Sequence, residues 1–475
     1  SRLGRWLKGN LLNSVSNTLL TLFLLLIIYA ILYAIWQWAV VNATFSPAQT
    51  APEVRSHDGA NWGVIIGAWD LLMVGQFPRE EMYRVSIVVV FFIVLAVLSF
   101  IANRTGLWDR NKFVRRVLTA IWVLSPIIVY MLLAGVPPPE GQFLNITSLL
   151  IGEVLILGTF ALLWWQRVIK FTWINFIVWV LIWPVFYIIW RVIGASRILT
   201  PINVSLWGGL LLTLIIATSV IILSFPLGMV LALGRRSKIR GIPWWLIWPV
   251  AIIATIWGLA TSTQQILATA QNSVQQILAF WPLLILVVAF ILQRAFRGNV
   301  IAAACTAFIE FVRGVPLITL LFMAIIMAPF FLGEGASLQN VWAVIIGYAL
   351  FSAAYMAELI RGGLQAIPRG QYDAADAIGL NTFQKMRFII LPQAITIVIP
   401  GIVGQFIGSY KSSSLVAIVG LFELLGITRV ITANPQWLGL RQELYVFAGV
   451  IYFTGSFIMS WYSRRLERQL GVGQR

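Results

Sequence analysis

The stretch Gln371-Tyr-Asp-Ala-Ala-Asp-Ala-Ile-Gly-Leu-Asn-Thr-Phe-Gln-Lys-Met-Arg-Phe-Ile-Ile-Leu-Pro392 is small and polar as far as its arginine, yet it lies between two strongly apolar runs. Ala374, Ala375, Ala377 and Ile378 make a small, smooth helical face. Asp373 stands near the start of that helix, where the dipole favours an acid. Gly379 is placed to end it in a left-handed conformation. A second amphipathic piece, Thr382 to Ile390, leads to Leu391-Pro392, where the next membrane helix begins. The pattern predicts a short helix, a glycine turn and a second helix, held between two spans. Small residues let a partner surface come close, so such an element can pass a rigid-body push from a soluble partner to the membrane helices.

The rest of the chain supplies the membrane. Of its 475 residues 60% are hydrophobic and 10% charged, where a soluble domain carries about 25% charged residues. Mean hydropathy is +0.91. Leu19 to Trp38 holds no charged residue. Several runs reach the roughly 18–20 apolar residues that cross a hydrocarbon core, and the alternating segments of about 10 residues that mark a barrel are absent. The expectation is an all-α polytopic protein of twelve spans, near 14–41, 85–102, 117–134, 146–164, 172–193, 207–233, 244–260, 280–292, 311–331, 340–358, 392–409 and 445–462.

A net charge of +17 raises nucleic acid as a partner. Its distribution argues against that. With the N-terminus in the cytoplasm, the inside segments are 1–13, 103–116, 165–171, 234–243, 293–300, 359–391 and 463–475. They hold 24 of the 33 Lys and Arg, the outside segments 7, and acids run nine outside to four inside. The positive-inside rule then predicts cytoplasmic N- and C-termini, with basic residues facing anionic lipid. Cys305 is the one cysteine and His57 the one histidine. No disulfide, metal site or Ser-His-Asp triad is expected from them. The apolar run after Arg2, Arg5 and Lys8 is too long for a signal h-region, so the first helix is expected to stay as an anchor.

Two regions follow. Residues 1–200 form an N-terminal accessory membrane region with an external loop at 42–84. Residues 201–475 form a core carrying inserted helices at about 241–292 and a cytoplasmic loop at 361–391. Residues 261–279 are polar at both ends and expected outside.

The opening stretch resembles the EAA signature of ABC-importer permeases, Glu-Ala-Ala-x3-Gly-x9-Ile-x-Leu-Pro. Here Asp373-Ala374-Ala375, Gly379, Ile389, Leu391 and Pro392 stand at the family spacing, with Asp for Glu as the single departure. Ala354 to Gln371, Phe308 to Leu317, Gly209-Leu-Leu-Leu-Thr213 and Lys411-Ser-Ser-Ser-Leu-Val416 look like the polar amino-acid branch (His/Glu/Gln/Arg/opine type). The N-terminal spans, with the external Gly-Ala-Asn-Trp and Phe77-Pro-Arg-Glu-Glu81 segments, look like the long M-type permease of general L-amino-acid systems. The resemblance implies a five-helix type I importer core whose loop couples to a separate ATPase. It implies a periplasmic amino-acid-binding protein, a second, non-identical permease, and ATP with Mg on the ATPase, with no cofactor on this chain. It implies a bacterial inner membrane. Residues 241–292 depart from the pattern, and two extra spans there preserve topology.

Other residues admit more than one role. Glu310 with Arg313, and Glu358 with Arg361, stand at i,i+3 spacing and are expected as structural ion pairs. Gln405, Ser409, Lys411, Ser412, Ser413 and Ser414 follow a Gly-x3-Gly run at a span end. They suit an amino-acid carboxylate on the transport path, and equally a snorkelling lysine with hydroxyls bonded to backbone. Glu153, inside an apolar run, suits a polar contact to a partner subunit. No Gly-x4-Gly-Lys-Ser/Thr loop is present, so ATP hydrolysis is expected on a partner. The competing reading, an ion-coupled secondary amino-acid transporter, needs two related halves with midplane ionisable groups, and no such repeat is visible.

Overall fold

The computed structural model describes residue 6 and residues 9–50, 58–138, 146–165, 172–237, 240–269, 272–295, 298–331 and 338–471. Among these residues there is no strand, only four isolated bridges, and the protein is all-α. Every run expected to span falls on helix. Among the described residues ten helices are long and apolar enough to cross a membrane, an eleventh crossing is a bent pair, and the remaining run is the helix Ile146–Trp165.

The bent pair corrects the expectation of one continuous span over 311–331. Val300–Gly314 and Leu317–Met327 meet at 110°. Val315 between them is extended, with φ −102° and ψ 135°. Pro316 follows it, and a residue before proline is pushed out of the helical region.

The chain folds as two compact units, Ser1–Met73 with Gly209–Arg475, and Val74–Gly208. In the first, the core helices are α1 (Gly209–Arg235), α2 (Val300–Gly314), α3 (Leu317–Phe331), α4 (Asn340–Ala366), α5 (Arg369–Ala377), α6 (Leu391–Ser412), α7 (Leu424–Ala433) and α8 (Arg441–Gln469). Helix α4 lies at the centre: 67% of its apolar stretch is buried, against 33% for α1 and 11% for α8. Between helices in lipid the attraction comes from close packing, which small residues permit. Gly347, Ala349, Ala353, Ala354, Ala357 and Gly363 accordingly form the buried face of α4. A Cβ on Gly363 would stand 2.5 Å from the carbonyl oxygen of Ala394 on α6, so only glycine fits that crossing.

The insertion leaves the core and returns to it at one point. Gly241 N–H donates to the Gly298 carbonyl at 2.8 Å, and the Asn299 amide donates to Ser237 O. Between these ends Trp244–Gly258 and Leu284–Ala295 run antiparallel, joined by Trp248 Nε1 to Gln293 Oε1 at 2.9 Å. The polar segment at their far end forms the short helices Gln264–Thr269 and Ser273–Leu278. A hairpin whose ends meet does not disturb the packing of α1 against α2 and α4.

The second unit holds the helices Met82–Arg104, Lys112–Ala134, Ile146–Trp165 and Trp173–Ser196. Arg84 is fully buried there. Its guanidinium donates to Glu81 Oε2 at 2.9 Å and to the carbonyl and hydroxyl oxygens of Thr200 at 2.8 Å each. A buried arginine needs such a full set of acceptors, and the Phe77-to-Glu81 segment supplies the acid.

Candidate functional site

The 369–391 hairpin is built by local rules that its sequence carries. Pro368 opens α5 with an extended backbone. Gly379 closes it at φ +76°. The Gly379 N–H donates to Asp376 O at 3.0 Å and the Leu380 N–H to Ala375 O at 3.2 Å, the paired bonds of a Schellman motif. No atom lies within 4 Å of a Cβ built on Gly379, so the demand for glycine is conformational and not spatial. Asn381 then caps the next helix in a reciprocal capping box with Gln384. Thr382–Lys385 and Met386–Ile390 run straight into α6. Lys385 pairs with Asp376 across the turn.

One face of the hairpin is fastened and the other is free. Ala375 is fully buried beneath α5, and Ile390 and Ala394 enter the core with Leu364 and Ile360. Arg236, just past α1, donates to the Leu364 carbonyl and to the Tyr372 hydroxyl, each at 3.3 Å. Gln393 of α6 donates to Gln371 at 3.2 Å. Three spanning helices therefore hold α5. Asp373, Ala374, Ala377 and Ile378 point outward, and Ile378 is 71% exposed.

Behind the hairpin lies a cluster of charge. Glu358 Oε1 accepts from Arg235 at 2.5 Å, and Glu358 Oε2 accepts from Arg361 Nη2 at 2.6 Å. Arg313 stands 3.8 Å from the same carboxylate. Glu310 pairs with Arg235 at 3.0 Å, on α1, and not with its i,i+3 neighbour Arg313. The expected Glu358–Arg361 pair forms, the expected Glu310–Arg313 pair does not, and the two acids are joined through Arg235 in one network across α1, α2 and α4. Arg235 and Arg236 carry no signal in the sequence beyond their charge; only the packing of α1 on α4 reveals what they hold.

The residues expected on a substrate path divide. Ser409 is buried, its Oγ 3.3 Å from Ser352 Oγ, and its carbonyl accepts from Tyr348 at 2.8 Å. Ser413 is also buried, its hydroxyl donating to Tyr410 O at 2.6 Å. Gln405 and Ser412 are half-buried. Lys411 and Ser414 line a groove of about 420 Å³ with Leu425, Tyr445, Tyr452 and Ser456. Ser456 was not foreseen; its Oγ is buried and without a hydrogen-bond partner. Glu153 likewise has both carboxylate oxygens buried and unbonded. A larger groove of about 650 Å³ along Tyr83 to Leu98 is walled almost wholly by hydrocarbon and has the chemistry of a lipid-facing surface. No metal-ligand cluster occurs among the described residues.

Known proteins are similar to this chain in sequence. Residues 283–472 match the family described as binding-protein-dependent transport system inner membrane component. The inner membrane amino-acid ABC transporter permease protein YhdY of Escherichia coli is 30% identical over 474 residues, covering 100% of this chain and 95% of its own. The glutamate/glutamine/aspartate/asparagine transport system permease protein BztC of Rhodobacter capsulatus is 32% identical, over 98% of this chain and 93% of its own. The permease BztB of that organism, named for the same transport system, is 38% identical over 27% of this chain and 30% of its own. End-to-end identity of this order sets aside the secondary-transporter reading, and the chain belongs to the amino-acid ABC transporter permeases, as a long, multi-pass inner-membrane transport subunit that is not itself an enzyme.

Proposed function

We propose that this chain forms one half of a permease pair that takes up polar L-amino acids, with α5 as the seat of a separate ATPase. The observation that carries the reading is the hairpin: a helix fixed by α1, α4 and α6 on one side, with small residues bare on the other. A push on Asp373, Ala374 and Ala377 has no slack to absorb it, because Arg236, Tyr372, Gln371 and Gln393 tie α5 to all three helices. ATP and Mg belong on the partner, since hydrolysis there supplies the push. The charge distribution supports cytoplasmic termini and a cytoplasmic hairpin. A periplasmic amino-acid-binding protein delivers substrate at the opposite end.

The R. capsulatus relatives support two finer points. Two different permeases there carry one system's name, which favours a non-identical partner for this chain. That name lists acidic amino acids and their amides, all of them within the polar class proposed here as substrate. The Lys411 side chain at the groove suits the carboxylate common to all of them. Gentle purification of the tagged protein tests the assembly. Stoichiometric recovery of a P-loop ATPase and a second permease is the expected result. Recovery of the chain alone, still able to carry out ATP-independent uptake, would overturn it.

A further inference from the structure

Helix α7 is a 10-residue apolar helix between the last two spans. At about 1.5 Å per residue it is far too short to cross. On the orientation proposed above, it lies at the outer end. What fixes it is a buried polar junction apart from the coupling hairpin, whose Leu425 and Tyr452 also border the groove at Lys411.

Glu423 caps α7 and is 0% exposed. Its Oε1 accepts from Gly426 N–H at 2.7 Å, and its Oε2 from Leu425 N–H at 2.8 Å and from the Tyr452 hydroxyl of α8 at 2.8 Å. Thr213 of α1 stands 3.4 Å from the same oxygen and accepts the Leu424 N–H at 3.0 Å. Gly209 N–H donates to Phe422 O at 2.9 Å. Serine, threonine, aspartate and asparagine are the usual caps. Glutamate has one methylene more than aspartate, and here that reach lets a single carboxylate cap α7 and touch α8 and α1. The external segment closes over the same helix. Val64, Ala68 and Leu72 pack with Ile427, Ile431 and Leu444, and Asn61 N–H donates to Glu443 Oε1, itself buried, at 2.9 Å.

We infer that Glu423 is a positioning residue for transport: its carboxylate sets α7 against α1 and α8, and that placement has to be kept for the outer end to open and close in step with the hairpin.

Aspartate separates this role from simple capping. Glu423→Asp retains a preferred cap but cannot reach Tyr452, and Glu423→Gln retains length but puts an NH2 group among donors. Each variant is reconstituted in proteoliposomes with the ATPase, the second permease and the binding protein. Expected is a fall of roughly tenfold in maximal uptake for both, the scale of losing hydrogen bonds to a charged group, with KM within about twofold. Tyr452→Phe should lower uptake less, and should add nothing to Glu423→Gln in the double variant. Full activity of Glu423→Asp, or additive losses in the double variant, overturns the inference. If Glu423→Gln fails to reach the membrane, Tyr452→Phe and Thr213→Val, each removing one group, take its place, and normal uptake by both overturns it. A wild-type complex that shows no ATP-driven uptake indicts the assembly reading instead.

Discussion

The two ends of the core solve opposite problems. The hairpin at 369–391 presents alanines, an aspartate and an exposed isoleucine, and keeps its bonds to its own chain on the hidden side. The junction around Glu423 buries its charge completely and leaves none of its carboxylate to a partner. A surface meant for another protein must offer unpaired, small and shallow groups. A joint within one chain must satisfy every donor, because a buried polar group left alone costs about 1–3 kcal/mol. On the proposed function, the difference between the ends separates where force enters from where geometry is held.

Breaking the entry side should have the largest effect. Gly379→Val places a β-branched residue at φ +76°, which costs about 1–2 kcal/mol and favours loss of the turn. ATP-driven uptake should disappear while the amount in the membrane stays the same. Gly379→Asn, which tolerates the left-handed region, should retain most uptake. Equal activity of the two variants would show that the turn does not matter. Next comes the cluster behind the hairpin. Glu358→Gln leaves Arg235 and Arg361 without their shared carboxylate. Thermal unfolding of the purified protein should show a loss of about 1–3 kcal/mol. The smallest effect belongs to the junction. Burial pushes the Glu423 carboxyl above its usual 4.5, against the opposing hydrogen bonds from Leu425, Tyr452, Gly426 and Thr213. The folded state therefore holds that proton more tightly than the unfolded chain. Stability from this group is greatest below pH 4.5, is lost as pH rises toward the raised value, and is constant above it. Melting temperature against pH should show that slope for wild type and lack it for Glu423→Gln.

Much of the first end was legible in the sequence, and little of the second. Gly379 acts through neighbours within four residues, so its place alone predicts a helix with a left-handed stop, whereas Asp373, expected near the helix start, is its fifth residue, beyond the first turn, and the Asn381 cap came only with the structure. The break at Pro316 was only half readable: proline disfavours a helical Val315, yet Pro126, Pro184, Pro226, Pro249 and Pro400 all sit inside helices. Glu310 was beyond reach. Its local partner Arg313 lies at the right spacing, yet Arg235 on another helix takes it. Glu423 and Glu443 counted only as external acids, because burial by Thr213, Tyr452 and the 61–72 segment is decided by residues 29 to 382 positions away. The insertion follows the same logic. Its even number of spans was visible, and the meeting of Gly241 with Gly298 was not.

The most direct test of the account is whether the bare face of α5 carries the ATPase. Ala374 is exposed, and its replacement by tryptophan adds bulk there without disturbing the buried side. Co-purification from native membranes should recover the ATPase with the wild-type chain and lose it with Ala374→Trp, the second permease remaining in both. Retention of the ATPase at full stoichiometry by Ala374→Trp would contradict the assignment of that face.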